Sequence, residues 1–254
     1  EISGCNIYGK AEYFNPGESV KDRAALFIVE DAIRNHKISK GGIIVEGTAG
    51  NTGIGLAVVA KAYGLSLKIV IPKTQSIEKK QTLKALGAEL IEVDAVPYSN
   101  PNNYIKQSKK IADELVGSNK NGVLWANQFD NTANLEAHIQ TTSKEIWTQT
   151  AGQVHGFICA VGTGGTIAGV SIGLKKKNKN IKIALADPMG SSLYSQIKFN
   201  KLENSGSSIT EGIGTARITK NFEKAIIDDA FQITDEDALN IIFKLREDQN
   251  ISLG

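Results

Sequence analysis

The chain has 254 residues, of which 41% are hydrophobic, and its 29 basic and 27 acidic residues leave a net charge of +2. A chain of this length buries roughly 70–75% of its unfolded surface, which allows one large domain or two moderate ones. The balanced charge gives no basis for nucleic-acid partners, and no apolar run is long enough for a membrane span.

The numbers and spacing of cysteine and histidine residues further limit the kinds of site that the protein could have. The two cysteines, Cys5 and Cys159, exclude a disulfide framework, and the sequence contains no CxxC or HxxxH spacing. We therefore expect no metal site. The expected compartment is reducing and cytoplasmic, and an organelle stays open because the sequence does not begin with methionine.

The first predicted element is a helix that starts within residues 15–23, Asn-Pro-Gly-Glu-Ser-Val-Lys-Asp-Arg. Ser19 is placed to cap this helix and Asp22 to complete a capping box. Lys21 then lies in the first turn, where the helix dipole and burial both disfavour a positive charge. A lysine with a lowered pKa suits Schiff-base chemistry with a carbonyl cofactor. The alternative is a capped helix start that carries an ordinary solvated lysine.

After this helix, short β-branched runs alternate with amphipathic helical stretches. This alternation predicts an α/β fold with open, mainly parallel sheets flanked by helices. Stretches rich in Pro, Asn, Gly and Ser at 96–103 and 201–208 resemble linkers. The predicted strands are 43–45, 67–71, 90–93, 123–125, 156–161, 181–186 and 230–233, and the predicted helices include 52–63, 77–86, 104–115, 135–149 and 235–249.

Two glycine-rich turns each follow a predicted strand and open a helix. They are Gly-Thr-Ala-Gly-Asn-Thr-Gly at 47–53 and Gly-Thr-Gly-Gly-Thr at 162–166. In an open parallel sheet such turns lie at the carboxyl edge, where ligands bind. The N–H groups at a helix start attract anions, so either turn could hold a phosphate or a carboxylate.

Other motifs fail on spacing. Ile167 stands where a dinucleotide GxGxxG would need its last glycine, and Leu56 stands where a P-loop would need lysine. The GxSxG match around Ser171 lies inside a helical run, and no histidine follows it, so the hydrolase order of the triad is impossible.

The Ser-Val-Lys-Asp-Arg segment and the two glycine turns, in this order, resemble the fold-type II pyridoxal-phosphate enzymes. The resemblance is strongest to the cysteine synthase (O-acetylserine sulfhydrylase) and cystathionine β-synthase group, and it covers nearly the whole chain. Further matches are Gln128-Phe129 and the glycine loop at 211–214. Threonine after Asn51, where serine and threonine dehydratases have histidine, favours the cysteine synthase branch.

The resemblance implies a smaller, mobile domain at 15–131 and a larger one formed by 1–14 with 132–254, with pyridoxal 5'-phosphate between them. It implies that Lys21 forms the Schiff base with the cofactor and later removes the substrate's α-proton. Asn51 would bond the ring hydroxyl oxygen of the cofactor. The implied phosphate ligands are Gly162, Thr163, Gly164, Gly165 and Thr166, and the implied substrate-carboxylate ligands are Thr48, Ala49, Gly50, Thr52 and Gln128.

Three departures from the family pattern stand out. Ala49 replaces the usual serine of the carboxylate loop, the family's opening strand segment is missing before Glu1, and the loop that meets the pyridine nitrogen is missing after Gly254. We therefore expect the chain to be incomplete at both ends.

The implied reaction is β-replacement on O-acetyl-L-serine by sulfide, through an aminoacrylate intermediate, to give L-cysteine. The implied partners are an amino-acid substrate, sulfide or another thiol, and a second copy in a homodimer. Two alternatives stay open: a β-synthase that accepts homocysteine and serine, and a turnover-deficient relative that binds cofactor or amino acid and serves as a sensor or a partner docking surface.

Overall fold

The computed structural model describes residues 4–48 and 50–252. The chain divides into two compact units, Glu1–Gln128 and Phe129–Gly254. The predicted domain boundaries, with residues 1–14 joined to 132–254, stay a prediction. Within the first unit, Arg23 forms an ion pair with Glu12 (Nε–Oε2 2.9 Å), which ties the segment before residue 15 to the first helix.

The first unit is built on a four-stranded parallel sheet. Its strands are β1 (Ile43–Gly47), β2 (Ser66–Pro72), β3 (Glu89–Val93) and β4 (Val123–Trp125), in the order β3-β2-β1-β4. Its helices are α1 (Lys21–Arg34), α2 (Asn51–Tyr63), α3 (Ile77–Ala85) and α4 (Tyr104–Leu115), with a short 3-10 helix at Glu12–Phe14.

The centre of this sheet is apolar. Val45 of β1 and Val70 of β2 are fully buried and pack with Ala112 of α4. Strands buried on both faces read as continuous β-branched runs, which is how Ile-Ile-Val in β1 and Ile-Val-Ile in β2 appear in the sequence. The single acidic residue inside β1, Glu46, interrupts that pattern.

The second unit contains a three-stranded parallel sheet in the order β5-β6-β7. Its strands are β5 (Gly156–Cys159), β6 (Lys182–Pro188) and β7 (Asp229–Ile233). Its helices are α5 (Ala133–Ala137), α6 (Ser143–Gln149), α7 (Gly165–Lys177), α8 (Leu193–Phe199) and α9 (Asp235–Gln249), with a 3-10 helix at Phe222–Lys224.

The structure confirms the predicted α/β class and the parallel pairing of both sheets. Several predicted bounds differ from the observed ones by one or two residues, and two predicted elements of the second unit differ in detail. The strand predicted at 156–161 ends at Cys159, and the helix predicted at 135–149 is interrupted by a π-helical turn, His138–Thr142. Helix α8 was not predicted from the sequence. Among residues 4–48 and 50–252, no helix has both the length and the apolar character that crossing a bilayer requires.

Candidate active site

Lys21 is the first residue of α1, as predicted, but the start of this helix is built differently from the predicted capping box. Val20 occupies the N-cap position, and Ser19 accepts a hydrogen bond from the Lys21 N–H through Oγ (3.3 Å). The Asp22 carboxylate accepts from the N–H of Gly17 rather than that of Ser19. The predicted capping box is therefore wrong, because the Asp22 carboxylate is bonded to the N–H of Gly17 instead.

Asp22 fixes the first turn of α1 against α2. Its Oδ1 is buried and has no hydrogen-bond partner within the described ranges. A Cβ on Gly55 of α2 would lie 2.9 Å from this oxygen, so glycine is needed there for the two helices to approach. Burial raises the pKa of Asp22, the Gly17 N–H opposes that rise, and the charge of Glu12 adds to it. Lys21 is thus held on a rigid helix start.

The loop after β1 carries most of the predicted carboxylate ligands. Gly50 donates its N–H to Thr48 Oγ1 (3.3 Å), and Gly53 donates to the Gly50 carbonyl (2.9 Å). Asn51 opens α2 with an exposed side chain. Thr48, Gly50 and Gly53 are thereby joined by hydrogen bonds at a helix N-terminus, which suits anion binding. The prediction for Ala49 concerns a residue outside those the structure describes.

Gln128, which follows the neighbouring strand β4, contacts Thr52 just after this loop. Strands β1 and β4 pair in parallel, so the segments that follow them meet at the same edge of the sheet. Thr52 Oγ1 donates to Gln128 Oε1 across 2.5 Å, although the two residues are 76 positions apart. The structure therefore brings Thr48, Gly50, Thr52 and Gln128 into one polar cluster in the first unit.

Glu46 is a residue of this cluster that the sequence analysis missed. It is 2% exposed, and its carboxylate accepts from the N–H groups of Asn127 (2.8 Å) and Gln128 (3.3 Å). Burial raises the pKa of Glu46 to about 7, and the hydrogen bonds from Gln128 and Asn127 limit that rise. An acidic residue inside an otherwise apolar strand was the signal that could have identified it.

The raised pKa of Glu46 makes the stability of the fold depend on pH. The folded state binds this proton more tightly than the unfolded chain, so the associated stability is complete below about pH 4.5 and is lost as pH rises through about 7. The full difference amounts to about 3 kcal/mol. In urea unfolding between pH 5 and 8.5, we expect the wild-type protein to lose stability relative to Glu46→Gln by up to that amount.

Taking the difference between two proteins cancels the other carboxyls with raised pKa values, Asp22 and Asp187, because both variants keep them. Burial, and to a smaller extent the charge of Glu46, raises the pKa of Tyr104 in α4. Glu89→Gln is the matched control, since Glu89 lies on the same sheet but is exposed and paired with Lys68. Parallel pH curves for the wild type and Glu46→Gln would contradict the assignment.

The second unit presents the turn 162–166 between β5 and α7. Gly164 has a φ of +86°, and its backbone lies against Phe222, so that a Cβ there would come within 2.7 Å of the Phe222 Cβ. Gly162 lies against the carbonyl of Gly212, which belongs to the predicted glycine loop at 211–214. The backbone of this turn is closely packed, and its last two residues are the first two of the 13-residue helix α7. Such a cradle fits a phosphate group.

Buried polar side chains form hydrogen bonds to Thr163 in this turn. Asn134 Nδ2 donates to Thr163 Oγ1 (3.0 Å), and Thr219 Oγ1 donates to the Thr163 carbonyl (2.6 Å). Since Thr163 accepts through its hydroxyl oxygen, its single hydroxyl hydrogen can donate to a phosphate oxygen. Asn134 and Thr219 were not identified from the sequence, because asparagine and threonine carry no distinctive signal outside a known motif.

Thr166 is in contact with a buried histidine. Thr166 Oγ1 lies 3.2 Å from His138 Nε2, and His138 Nδ1 lies 2.8 Å from Thr142 Oγ1. Of the two neutral tautomers, the one protonated at Nε2 leaves the Thr166 hydrogen to donate to a phosphate oxygen. The π-helical turn places His138 and Thr142 in this position, and such turns are frequent at functional sites.

Each unit by itself contains residues that fit one chemical group of a phosphorylated carbonyl cofactor. The first unit has the lysine and a loop for a carboxylate, and the second has the phosphate cradle. The sequence matches the family described as pyridoxal-phosphate dependent enzyme over residues 1–254, and the chain belongs to that family. It is a pyridoxal-phosphate-dependent enzyme.

Within the family, the chain is similar to cysteine synthases. It is 48% identical to cysteine synthase 1 of Neurospora crassa, over the whole chain and 68% of that protein. It is 35% identical to the O-acetylserine dependent cystathionine beta-synthase of Bacillus subtilis, over 99% of the chain and 77% of that protein. The crystal structure of the O-acetylserine dependent cystathionine beta-synthase from Helicobacter pylori superposes with a TM-score of 0.84 at 33% identity, over 97% of the chain and 76% of that structure.

Proposed function

We propose that the protein makes L-cysteine from O-acetyl-L-serine and sulfide by β-replacement. The observation that supports this proposal is the polar cluster of Thr48, Gly50, Thr52 and Gln128, which lies in the same unit as Lys21 and offers hydrogen-bond donors that suit a carboxylate. A cluster of this kind selects an α-amino acid as the substrate. The similarity to cysteine synthases supports O-acetylserine and sulfide as the reacting pair.

Each predicted site residue has a role in this proposal. Lys21 holds the cofactor covalently, receives the α-proton of the substrate on Nζ, and returns it at the end of the cycle. Asn51 contacts the ring oxygen of the cofactor. The phosphate is bound by Gly162, Thr163, Gly164, Gly165 and Thr166, and the substrate carboxylate is bound by Thr48, Ala49, Gly50, Thr52 and Gln128.

The reaction balances without an external oxidant or reductant. The bound cofactor supplies an electron sink for the pair released at the α-carbon. The Cβ–O bond breaks and acetate leaves with its electron pair, and sulfide then forms the new C–S bond. The protein contributes a fixed direction for the α-C–H bond and the exclusion of water.

Turnover by the purified protein tests this proposal. Supplied with pyridoxal phosphate, O-acetyl-L-serine and sulfide, it should release acetate and L-cysteine in equal amounts, and neither should form when the cofactor is removed. Omitting sulfide provides the control for simple elimination. A protein that binds pyridoxal phosphate but forms no cysteine would contradict the proposal and favour a turnover-deficient relative.

A second candidate reaction uses a larger thiol as the nucleophile. The O-acetylserine dependent cystathionine beta-synthase of Bacillus subtilis is 35% identical over 99% of the chain, which supports this alternative. Replacing sulfide by homocysteine in the same assay separates the two reactions, since the product is then a thioether. We further propose a homodimer, and a cytoplasmic location with an organelle as the alternative, as the name of a putative mitochondrial cysteine synthase from yeast suggests.

A further inference from the structure

Glu46 has no role in the reaction proposed above, yet it is a buried carboxylate next to the residues that bind the substrate. It lies one residue before the end of β1, and its two oxygens accept from the N–H groups of Asn127 and Gln128. The side chain of Gln128 also hydrogen-bonds the carboxylate. Gln128 is therefore held by Glu46 through both its backbone and its amide group.

The two ends of the Gln128 amide face different partners. Its oxygen accepts the hydroxyl hydrogen of Thr52 (Oγ1–Oε1 2.5 Å). The side-chain hydrogen bond from Gln128 lowers the pKa of Glu46, so the amide donates this bond and the end that faces Glu46 is the nitrogen. Thr52 and Glu46 thus fix which way the amide is turned. If Glu46 did not hold the nitrogen, the Gln128 side-chain amide could rotate by 180°. Its oxygen would then occupy the position that its nitrogen occupies now.

Burial makes this arrangement rigid. Glu46 is 2% exposed, Thr52 is 2% exposed and Gln128 is 5% exposed, so water cannot substitute for a lost partner at low cost. Asn127 has a φ of +47°, which bends the chain so that its N–H and that of Gln128 both point to the same carboxylate. The conformation of the turn after β4 therefore depends on the Glu46 side chain of β1.

We propose that Glu46 is a positioning residue that turns the Gln128 amide so that its nitrogen, rather than its oxygen, faces the carboxylate of the amino-acid substrate. This inference rests on the proposed function. An amide nitrogen carries two hydrogens, so one group can donate to Glu46 and to a bound carboxylate. Thr52 gives its only hydroxyl hydrogen to Oε1, so its own contact to the substrate carboxylate comes from its backbone N–H.

A double-mutant cycle on the holoenzyme tests the inference. Glu46→Gln replaces a group that accepts through both oxygens by an amide that accepts through one, so the Gln128 amide is no longer fixed. We expect the KM for O-acetyl-L-serine to rise roughly ten- to a hundredfold, the effect of losing a hydrogen bond to a charged group. The kcat should change little, because the substrate carboxylate does not react. Gln128→Ala should raise KM similarly. In the double variant, Glu46→Gln should add little, since its effect passes through Gln128.

Additive effects on KM would overturn the inference, because they would show that Glu46 acts independently of Gln128. Glu89→Gln makes the same chemical change on the exposed side of the same sheet and should leave KM unchanged. A general loss of stability in Glu46→Gln would lower the amount of active enzyme, and would reduce apparent kcat without raising KM.

A spectroscopic measurement separates this inference from the proposed function. The side-chain amide ¹⁵N signals of Gln128 should shift as pH passes through about 7 in the wild type, and should lose this titration in Glu46→Gln. A titration of the Gln128 signal that persists in Glu46→Gln overturns the inference whether or not the enzyme is active. Absence of cysteine formation by the wild type would overturn the proposed function, while the amide signal would still decide whether Glu46 holds Gln128.

Discussion

Replacing Lys21 by alanine should abolish the covalent attachment of pyridoxal phosphate and lower turnover by at least about a thousandfold, because the variant lacks both the amine that bonds the cofactor and the base that moves the α-proton. The fold should survive. Lys21 is the first residue of α1, and alanine is the better helix former. Borohydride reduction of the wild-type holoenzyme followed by peptide mapping should find the cofactor on Lys21.

The matched control for this variant is Lys84→Ala. Lys84 is an exposed lysine in the last turn of α3, and the proposed site does not use it. Lys84→Ala should keep the visible absorption of the bound cofactor and full activity. A cofactor label on a lysine other than Lys21, or an active Lys21→Ala enzyme, would refute the assignment of the catalytic residue.

The Lys21 variant also separates covalent attachment of the cofactor from binding of its phosphate. The phosphate cradle lies in the second unit, whereas Lys21 lies in the first. Lys21→Ala should therefore still bind pyridoxal phosphate reversibly, which equilibrium dialysis would detect. Combining this variant with a change in the turn 162–166 should remove the remaining affinity.

The features that the sequence could predict are the local ones. The β-branched runs of β1 and β2, the glycine turns after β1 and β5, and Lys21 at a helix start all follow from spacing within a few residues. These patterns fixed the fold class and the edges of the sheets where ligands bind. The site residues came from the resemblance to a family, because their roles depend on a cofactor that no local pattern describes.

The features that could not be predicted depend on long-range pairing. Glu46 reaches Gln128 across 82 positions, and Thr52 reaches the same residue across 76. These contacts exist only because β1 and β4 pair in one sheet. The capping box at Ser19 was wrong for a different reason, since the Asp22 carboxylate is bonded to the N–H of Gly17. Sequence spacing shows which residues can reach one another, but tertiary packing decides which of them do.

The geometry of Gly164 predicts the largest effect in the second unit. This glycine has a φ of +86°, and a Cβ would lie 2.7–2.8 Å from the backbone and Cβ of Phe222. Phe222 cannot move away easily, because its N–H is bonded to Thr219 Oγ1 (3.0 Å), which itself donates to the Thr163 carbonyl. The left-handed conformation costs an alanine about 1–2 kcal/mol, and the overpacking adds roughly 1–3 kcal/mol.

Gly164→Ala should therefore lower the free energy of unfolding by about 3 kcal/mol, and relief of the clash should displace the N–H groups that face the phosphate, so that pyridoxal phosphate binds roughly a hundredfold more weakly. Gly117→Ala is the matched control, because Gly117 has a similar φ of +84° but nothing within 4 Å of its Cβ position. The control should lose about 1–2 kcal/mol of stability and keep its cofactor affinity. Urea unfolding and cofactor titration of both variants measure these differences. Equal losses in the two variants would show that only backbone strain matters at Gly164, and normal cofactor affinity in Gly164→Ala would mean that this turn does not hold the phosphate.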